Sequence, residues 1–232
     1  MEITYLNHSS FLIKTKFEGN KLTKIVTDPF SDEIGVKFKT TEADIVLVSS
    51  MSKESSNLSG IKGLGKEDSQ NENLGFHNDK PFVVKSPGEF EVRGVHIKGI
   101  ASNLDSKDSF RNTLYTISNE NFKVCFLGGL SQILTENQIE EIGEVDVLIV
   151  PVGGGTVLDP ESAGTVISQI EPGFVLPMCY KTLIHNDSSN LKTLKDFLEV
   201  MGKEELKPSD TLVPTKTGEE ETEVVVLKPQ YE

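Results

Sequence analysis

Apolar residues in the second half of this chain alternate between two rhythms, and that alternation narrows the fold more than any other feature. Val145–Val150 and Phe174–Met178 are near-continuous apolar runs of the length of a fully buried strand. Between them, Asp159-Pro160 places an N-cap residue before a proline at the first helical position, which opens a helix through Ile170. An earlier helix is announced by Thr135 and Gln138, which have the spacing of a capping box. Ile139 and Ile142 share one face of it, and Gly143 ends it. Leu191, Leu194, Phe197, Leu198 and Met201 recur at helical spacing before Gly202, and Thr222–Leu227 closes the chain as a strand.

The first half is built differently, from strands without helices. Glu2–Leu6 and Phe11–Thr15 are separated by the turn-forming Asn7–Ser10. Lys24–Thr27 leads into Asp28-Pro29-Phe30, where proline restricts Asp28 to extended geometry, so a strand ends there and a loop begins. Asp44–Ser49 is a short strand of the buried type. Phe82–Lys85 and Phe90–Ile100 flank the turn Ser86-Pro87-Gly88, and Asn112–Ile117 and Phe122–Leu127 form a hairpin around Asn119-Glu120-Asn121. Ser50 to Lys80 is a long polar stretch rich in Gly, Ser and Asn, of the kind that is functional or disordered. No internal repeat and no linker calls for a second unit, so one domain over residues 1–232 is expected.

Charge excludes whole classes of partner. Lys plus Arg number 23 and Asp plus Glu 36, a net charge of 23 − 36 = −13, and no local basic patch offsets it. Such a field repels phosphate backbones, so neither nucleic acid nor an anionic membrane is an expected partner. Cys125 and Cys179 cannot build a disulfide framework, and MEITYLNHSSFLI has no basic region followed by an apolar one. The run Val147–Val150 is far too short to span a bilayer. The expectation is a cytoplasmic protein with reduced thiols.

Four segments together carry a resemblance: YLNHSSFLI (5–13), VTDPF (26–30), DIVLVSSMSKESSN (44–57), and the long tail from FLGGL (126–130) through VPVGGG to VLPMCY (175–180). SPGEFEV with RNTLY and the closing ETEVVVLKPQ add to it. In this order they resemble the metallo-β-lactamase superfamily, in its lactonase-like branch of small cytoplasmic Zn-dependent hydrolases. The resemblance implies an α/β fold, a four-layer αββα sandwich with two mixed sheets face to face and helices outside. It also implies a zinc site, and there this chain departs from the pattern. Positions of the family's His-x-His-x-Asp-His hold Ser50, Ser52, Glu54 and Ser55. The later ligand positions match Leu104, Gly129 and Cys179.

Zinc takes imidazole, thiolate or carboxylate donors, four in a closed site or three plus water in a catalytic one. Leu104 and Gly129 offer no side-chain donor, and a neutral serine hydroxyl is a poor one. The expectation is therefore no metal and no cofactor, and a non-catalytic protein acting as a binding or assembly module. The alternative is a divergent hydrolase, using a rearranged metal site around His8, Glu54, Asp105 and Cys179 or chemistry without metal. His8 is open to two readings, a pocket-lining base or a turn residue satisfying backbone carbonyls. Asp28 matches a carboxylate below the family's metals, and it is equally a loop-holding residue. Arg111 is the candidate for holding a ligand carboxylate or phosphate, against a surface salt bridge. Gly153-Gly154-Gly155 before a helix offers backbone N–H groups to an anion, against a plain strand-to-helix turn. His77, His96 and His185 match no ligand position. A small-molecule ligand and a homo-oligomer are the partners this reading allows.

Overall fold

The structure, a computed structural model, describes residues 1–17, 21–52, 55–63, 80–102, 112–182, 190–216 and 222–231. Period-two alternation lays down the first sheet. β1 (Glu2–Asn7) pairs antiparallel with β2 (Ser10–Phe17), which pairs antiparallel with β3 (Lys21–Thr27). Ile3, Tyr5, Phe11, Ile13 and Ile25 send their side chains to a central core, while Leu6 and Val26 turn to the opposite face. β4 (Thr41–Ala43) leads into β5 (Ile45–Leu47), which lies parallel to β3. β6 (Ile61–Gly63) pairs with β4 in a separate two-stranded sheet, and β7 (Phe82–Val84) completes the five-stranded order β1-β2-β3-β5-β7.

The second sheet grows from hairpins into parallel strands. β8 (Gly88–Val92), β9 (Val95–Ser102), β10 (Asn112–Ser118) and β11 (Lys123–Phe126) are antiparallel neighbours. α1 (Glu136–Ile142) then leads to β12 (Val147–Pro151), α2 (Pro160–Ile170) to β13 (Phe174–Met178), and α3 (Leu194–Val200) precedes β14 (Glu223–Val224). The order is β14-β13-β12-β11-β10-β9-β8. β12 is parallel to both neighbours and buried along its whole length, which is why its sequence does not alternate.

One apolar core draws on both sheets and the helices, from Phe11, Ile25 and Leu47 on one side to Ile97, Leu148, Ile167 and Phe197 on the other. Side chains buried this fully contribute roughly 1.5–3 kcal/mol each. α1 packs on β9, and α2 on β12 and α3. The outer face of the five-stranded sheet is covered among the described residues by Phe30, Val36, Phe38, Ile61 and Tyr231, with a 3-10 turn at Asp32–Ile34 and the β4–β6 pair. Phe30 and Phe38 meet edge-on at 4.9 Å. The α/β sandwich implied by the resemblance is the one found. Among the described residues no helix is long and apolar enough to cross a membrane.

Several local expectations need correction. Phe90–Ile100 is not one strand but the β8–β9 hairpin, with Val92 opposite Val95 and a two-residue turn at Arg93 (φ 49) and Gly94 (φ 66). Arg93 is held there by tertiary contacts: its guanidinium lies 2.6 Å from Asp44, and its carbonyl accepts Thr23 Oγ1 at 3.3 Å. The Ser50–Lys80 stretch contains β6, because Ile61 finds a partner in Thr41 that only the fold brings near. α3 starts at Leu194, because Thr193 and Asp196 form a capping box past Leu191. Of Thr222–Leu227, only Glu223–Val224 pairs as a strand with β13. His96 is exposed on β9 beside Glu91.

Candidate functional site

The carboxyl ends of β3, β5, β11 and β13 converge with the β1–β2 turn at one rim of the sandwich, the edge at which α/β sheets bind ligands. The convergence can be followed bond by bond. Thr27 Oγ1, at the end of β3, accepts Phe11 N at 3.0 Å and donates to Ser9 O at 3.2 Å, fixing the β1–β2 turn. Next to it, the buried Asp28 carboxylate accepts Ser49 N at 2.7 Å and Ser49 Oγ at 2.6 Å, just past β5. Ser49 O accepts Thr113 N at 2.8 Å. Asn112, the first residue of β10, accepts Gly129 N at 2.8 Å and donates to Leu127 O at 3.0 Å and Ser102 Oγ at 2.8 Å.

Positions matching the family's ligands therefore lie together where they are described, but with different chemistry. Ser55 Oγ donates to Ser50 O at 2.9 Å, so its contact with Ser52 Oγ at 2.7 Å has Ser52 as the donor. Ser56 Oγ donates to Ser52 O at 2.6 Å. This hydroxyl web is anchored by Asn57, whose N and Nδ2 donate to Pro29 O and Phe30 O at 2.8 and 3.0 Å. Gly128 (φ 55) permits the close approach of the β11 turn: a Cβ there would sit 2.3 Å from Ser49 Cβ. Glu54, Leu104, Asp105, Arg111, His77 and His185 lie outside the described residues.

Cys179, past the end of β13, is buried. Its N donates to His8 O at 3.1 Å, and its Sγ lies 3.6 Å from the same oxygen, which also accepts Tyr5 OH at 2.9 Å. Gly153 runs directly beneath it: a Cβ there would lie 1.9 Å from Cys179 O. Gly154 N donates to Leu158 O at 2.8 Å, and Gly153 O accepts Lys192 N at 2.7 Å, so these glycines build the strand-to-helix turn. The first turn of α2 is capped by Asp159, which accepts Ser162 N at 2.8 Å; its bonds to Ser162 hold its carboxyl below the usual range.

Electrostatics at the rim follow from burial. Burial pushes the Asp28 carboxyl up to about 7, against the pull of both Ser49 hydrogen bonds. Burial, with Tyr180 and Cys179 adding, pushes the Tyr5 phenol well above its ordinary value. Backbone strain gathers here too. His8 (φ 54), Asp28 (φ 34) and Cys179 (φ 55) are non-glycine residues in the left-handed region. Asp28 is thus not extended, as Pro29 led one to expect; its two bonds to Ser49 hold it instead. The other two such residues among those described, Arg93 and Glu171, sit at a hairpin turn and a helix C-cap, where that conformation is ordinary.

Among the described residues no three His, Cys, Asp or Glu side chains gather as they would around a metal ion. Hydroxyls at Ser50, Ser52 and Ser55, a glycine at 129 and one thiol at Cys179 do not fit the dinuclear zinc site implied by the resemblance. Asn112 was not singled out from the sequence, although it opens the RNTLY strand opposite the Gly-Gly turn of FLGGL.

A layered sandwich with this rim defines a metallo-β-lactamase-type fold. The profile of the beta-lactamase superfamily domain matches residues 2–179, and the chain belongs to that superfamily. It is 31% identical to a solved Thermotoga maritima protein assigned to the Zn-dependent hydrolases of the metallo-β-lactamase superfamily. That likeness covers 98% of this chain and 100% of the other, with a TM-score of 0.72. A UPF0173 metal-dependent hydrolase of Thermococcus kodakarensis is 26% identical over 197 residues, 78% of this chain and 85% of its own. Another, of Archaeoglobus fulgidus, is 22% identical over 261 residues, 99% and 96% respectively. These names overturn two expectations, the non-catalytic module and the absence of any metal cofactor. The physical reason is that missing imidazoles report the loss of one donor geometry, whereas the scaffold shared with those relatives is kept.

Proposed function

We propose that this chain is a divergent hydrolase of the superfamily, acting at the rim formed by His8, Asp28, Ser50, Ser52, Ser55, Gly129 and Cys179. One observation carries the reading: His8, Asp28 and Cys179 all keep left-handed backbone at the rim. Such strain costs about 1–3 kcal/mol per residue and is maintained where structure serves a site. Strain of this kind gathers at active sites and at ligand clamps alike, and the hydrolase names of the relatives favour the first. The relatives' names supply the reaction class, metal-dependent hydrolysis, and a bound metal would polarise the scissile group and activate water. From the described rim, His8, Asp28 and Cys179 are the side chains with donor chemistry; the Asp28 carboxylate is taken up by Ser49, and the three do not gather around one point. Asp28 holds Ser49 and with it the start of the hydroxyl loop. The Ser50 and Ser52 hydroxyls, half-buried at the mouth, offer polar contacts that orient a substrate.

The test is turnover of carboxylic esters, lactones and phosphodiesters by the purified protein after chelation and after loading with zinc, manganese or iron. The expected result is metal-stimulated hydrolysis of one class that chelator abolishes. A folded protein that hydrolyses none of them with any metal overturns the reading.

A further inference from the structure

The loop carrying His8 is held from a distant part of the chain. Asn7, 3% exposed at the end of β1, donates from Nδ2 to Tyr231 O at 2.7 Å and accepts His8 N on Oδ1 at 2.7 Å. A donor is required on one side and an acceptor on the other, and the carboxamide supplies both from its two ends. Tyr231 is itself fixed. Its N donates to Leu6 O at 3.0 Å, Gln230 N donates to Tyr5 O at 3.0 Å, and its ring packs on Phe38 at 5.4 Å. Its hydroxyl meets Thr41 Oγ1, and Lys39 Nζ lies 5.3 Å from its ring centroid. Tyr231 also lies beyond residues 2–179, the span matched to the superfamily profile.

We propose that Asn7 and the backbone of Tyr231 are positioning residues of the rim. Tyr231 O orients the Asn7 carboxamide, Asn7 fixes His8 in its left-handed conformation, and the His8 carbonyl then seats Cys179 through its N and Sγ. The inference rests on the reading of this rim as the reacting centre, but its test needs no substrate. Two thiols make the chain its own control. Cys179 hangs from His8, whereas Cys125 is fully buried in β11 and its thiol is pushed up to about 12 by burial. Any general loosening exposes both; loss of positioning exposes Cys179 alone.

The experiment is iodoacetamide labelling under native conditions, with each cysteine followed by peptide mass, in wild type, Asn7→Asp and Asn7→Ala. Asn7→Asp keeps the acceptor for His8 N and sets a carboxylate oxygen against Tyr231 O. Asn7→Ala removes both bonds without burying a charge, so it stands in where Asn7→Asp fails to fold. Tyr231→Phe removes only the hydroxyl and leaves the carbonyl in place. Expected is a rise of about tenfold in the Cys179 labelling rate in the Asn7 variants, the size of one lost buried hydrogen bond. Cys125 is expected to stay at the wild-type rate, and Tyr231→Phe to match wild type at Cys179. Equal acceleration at both cysteines, no change at Cys179, or a Tyr231→Phe effect as large as that of Asn7→Asp overturns the proposal.

Discussion

Replacing Asp28 with asparagine should change how stability depends on pH. Burial moves this carboxyl from 3.8 to about 7 in the folded protein. An acid whose folded pKa exceeds its unfolded value binds protons more tightly when folded, so stability falls as pH rises. Well below the unfolded value the carboxyl is protonated in both states and adds no penalty. Above about 7 it is ionised in both, and the rise from 3.8 to about 7 then costs about 4 kcal/mol, at ~1.36 kcal/mol per pH unit. Asparagine has the same shape and no charge. Its Oδ1 can accept Ser49 N, and the Ser49 hydroxyl can turn to accept from Nδ2. The assay is urea unfolding followed by circular dichroism at steps from acid to mildly alkaline pH, with chelator present throughout. All other titrating groups are common to both proteins and cancel in the difference. The Asp28→Asn variant should therefore gain on wild type by about 4 kcal/mol across that range, and the gain should centre between the two pKa values. Parallel stability curves would show that Asp28 is not buried as an unpaired carboxylate, and the reasoning would fail.

Three further outcomes are expected. Gly153→Ala should cost about 1–3 kcal/mol in thermal denaturation, because the new Cβ meets the Cys179 carbonyl, a backbone atom that cannot rotate away; an unchanged Tm would contradict this. Arg93→Ala should destabilise by about 2–3 kcal/mol, less than a fully buried pair because Arg93 is 40% exposed, since Asp44 is left buried with the Lys24 N–H as its remaining donor. A wild-type urea midpoint would refute it. Asp159→Ala should cost about 1 kcal/mol as a lost N-cap. The lowered pKa of Asp159 means its contribution is present at neutral pH and disappears as pH falls through that pKa, so variant and wild type should converge in acid.

What could be read in advance was local. Thr135 with Gln138 and Asp159 with Pro160 fix helix starts through atoms within a few residues, and both helices begin where the sequence placed them. The Arg93-Gly94 turn was hidden because arginine carries no preference for left-handed backbone; Asp44 and Thr23, far along the chain, hold it there. β6 was hidden because a three-residue strand is stabilised by its partner β4 and not by its own pattern. At the rim, the aligned segments located Ser50, Ser52, Ser55, Gly129 and Cys179 together, but they could not show the strain at His8, Asp28 and Cys179. Strain is a property of how the fold over-determines those residues, and no side-chain type announces it. Donor identity alone pointed to a non-catalytic module, and it is the metal-dependent hydrolases among the relatives that overturn this.

The Asp28-Pro29-Phe30 segment grips the serine loop at both ends, through Ser49 and through Asn57. Mechanically, the residues between those grips form a cassette whose boundary conditions do not depend on what it contains. Evolution can rewrite such a cassette, exchanging imidazoles for hydroxyls or the reverse, without disturbing β5 upstream. Drift in reactivity at this rim is thereby uncoupled from selection for folding. Relatives that keep the grip should tolerate wide variation inside it, while changes at Asp28 or Asn57 that lose the bonds to Ser49 or Phe30 should be rare.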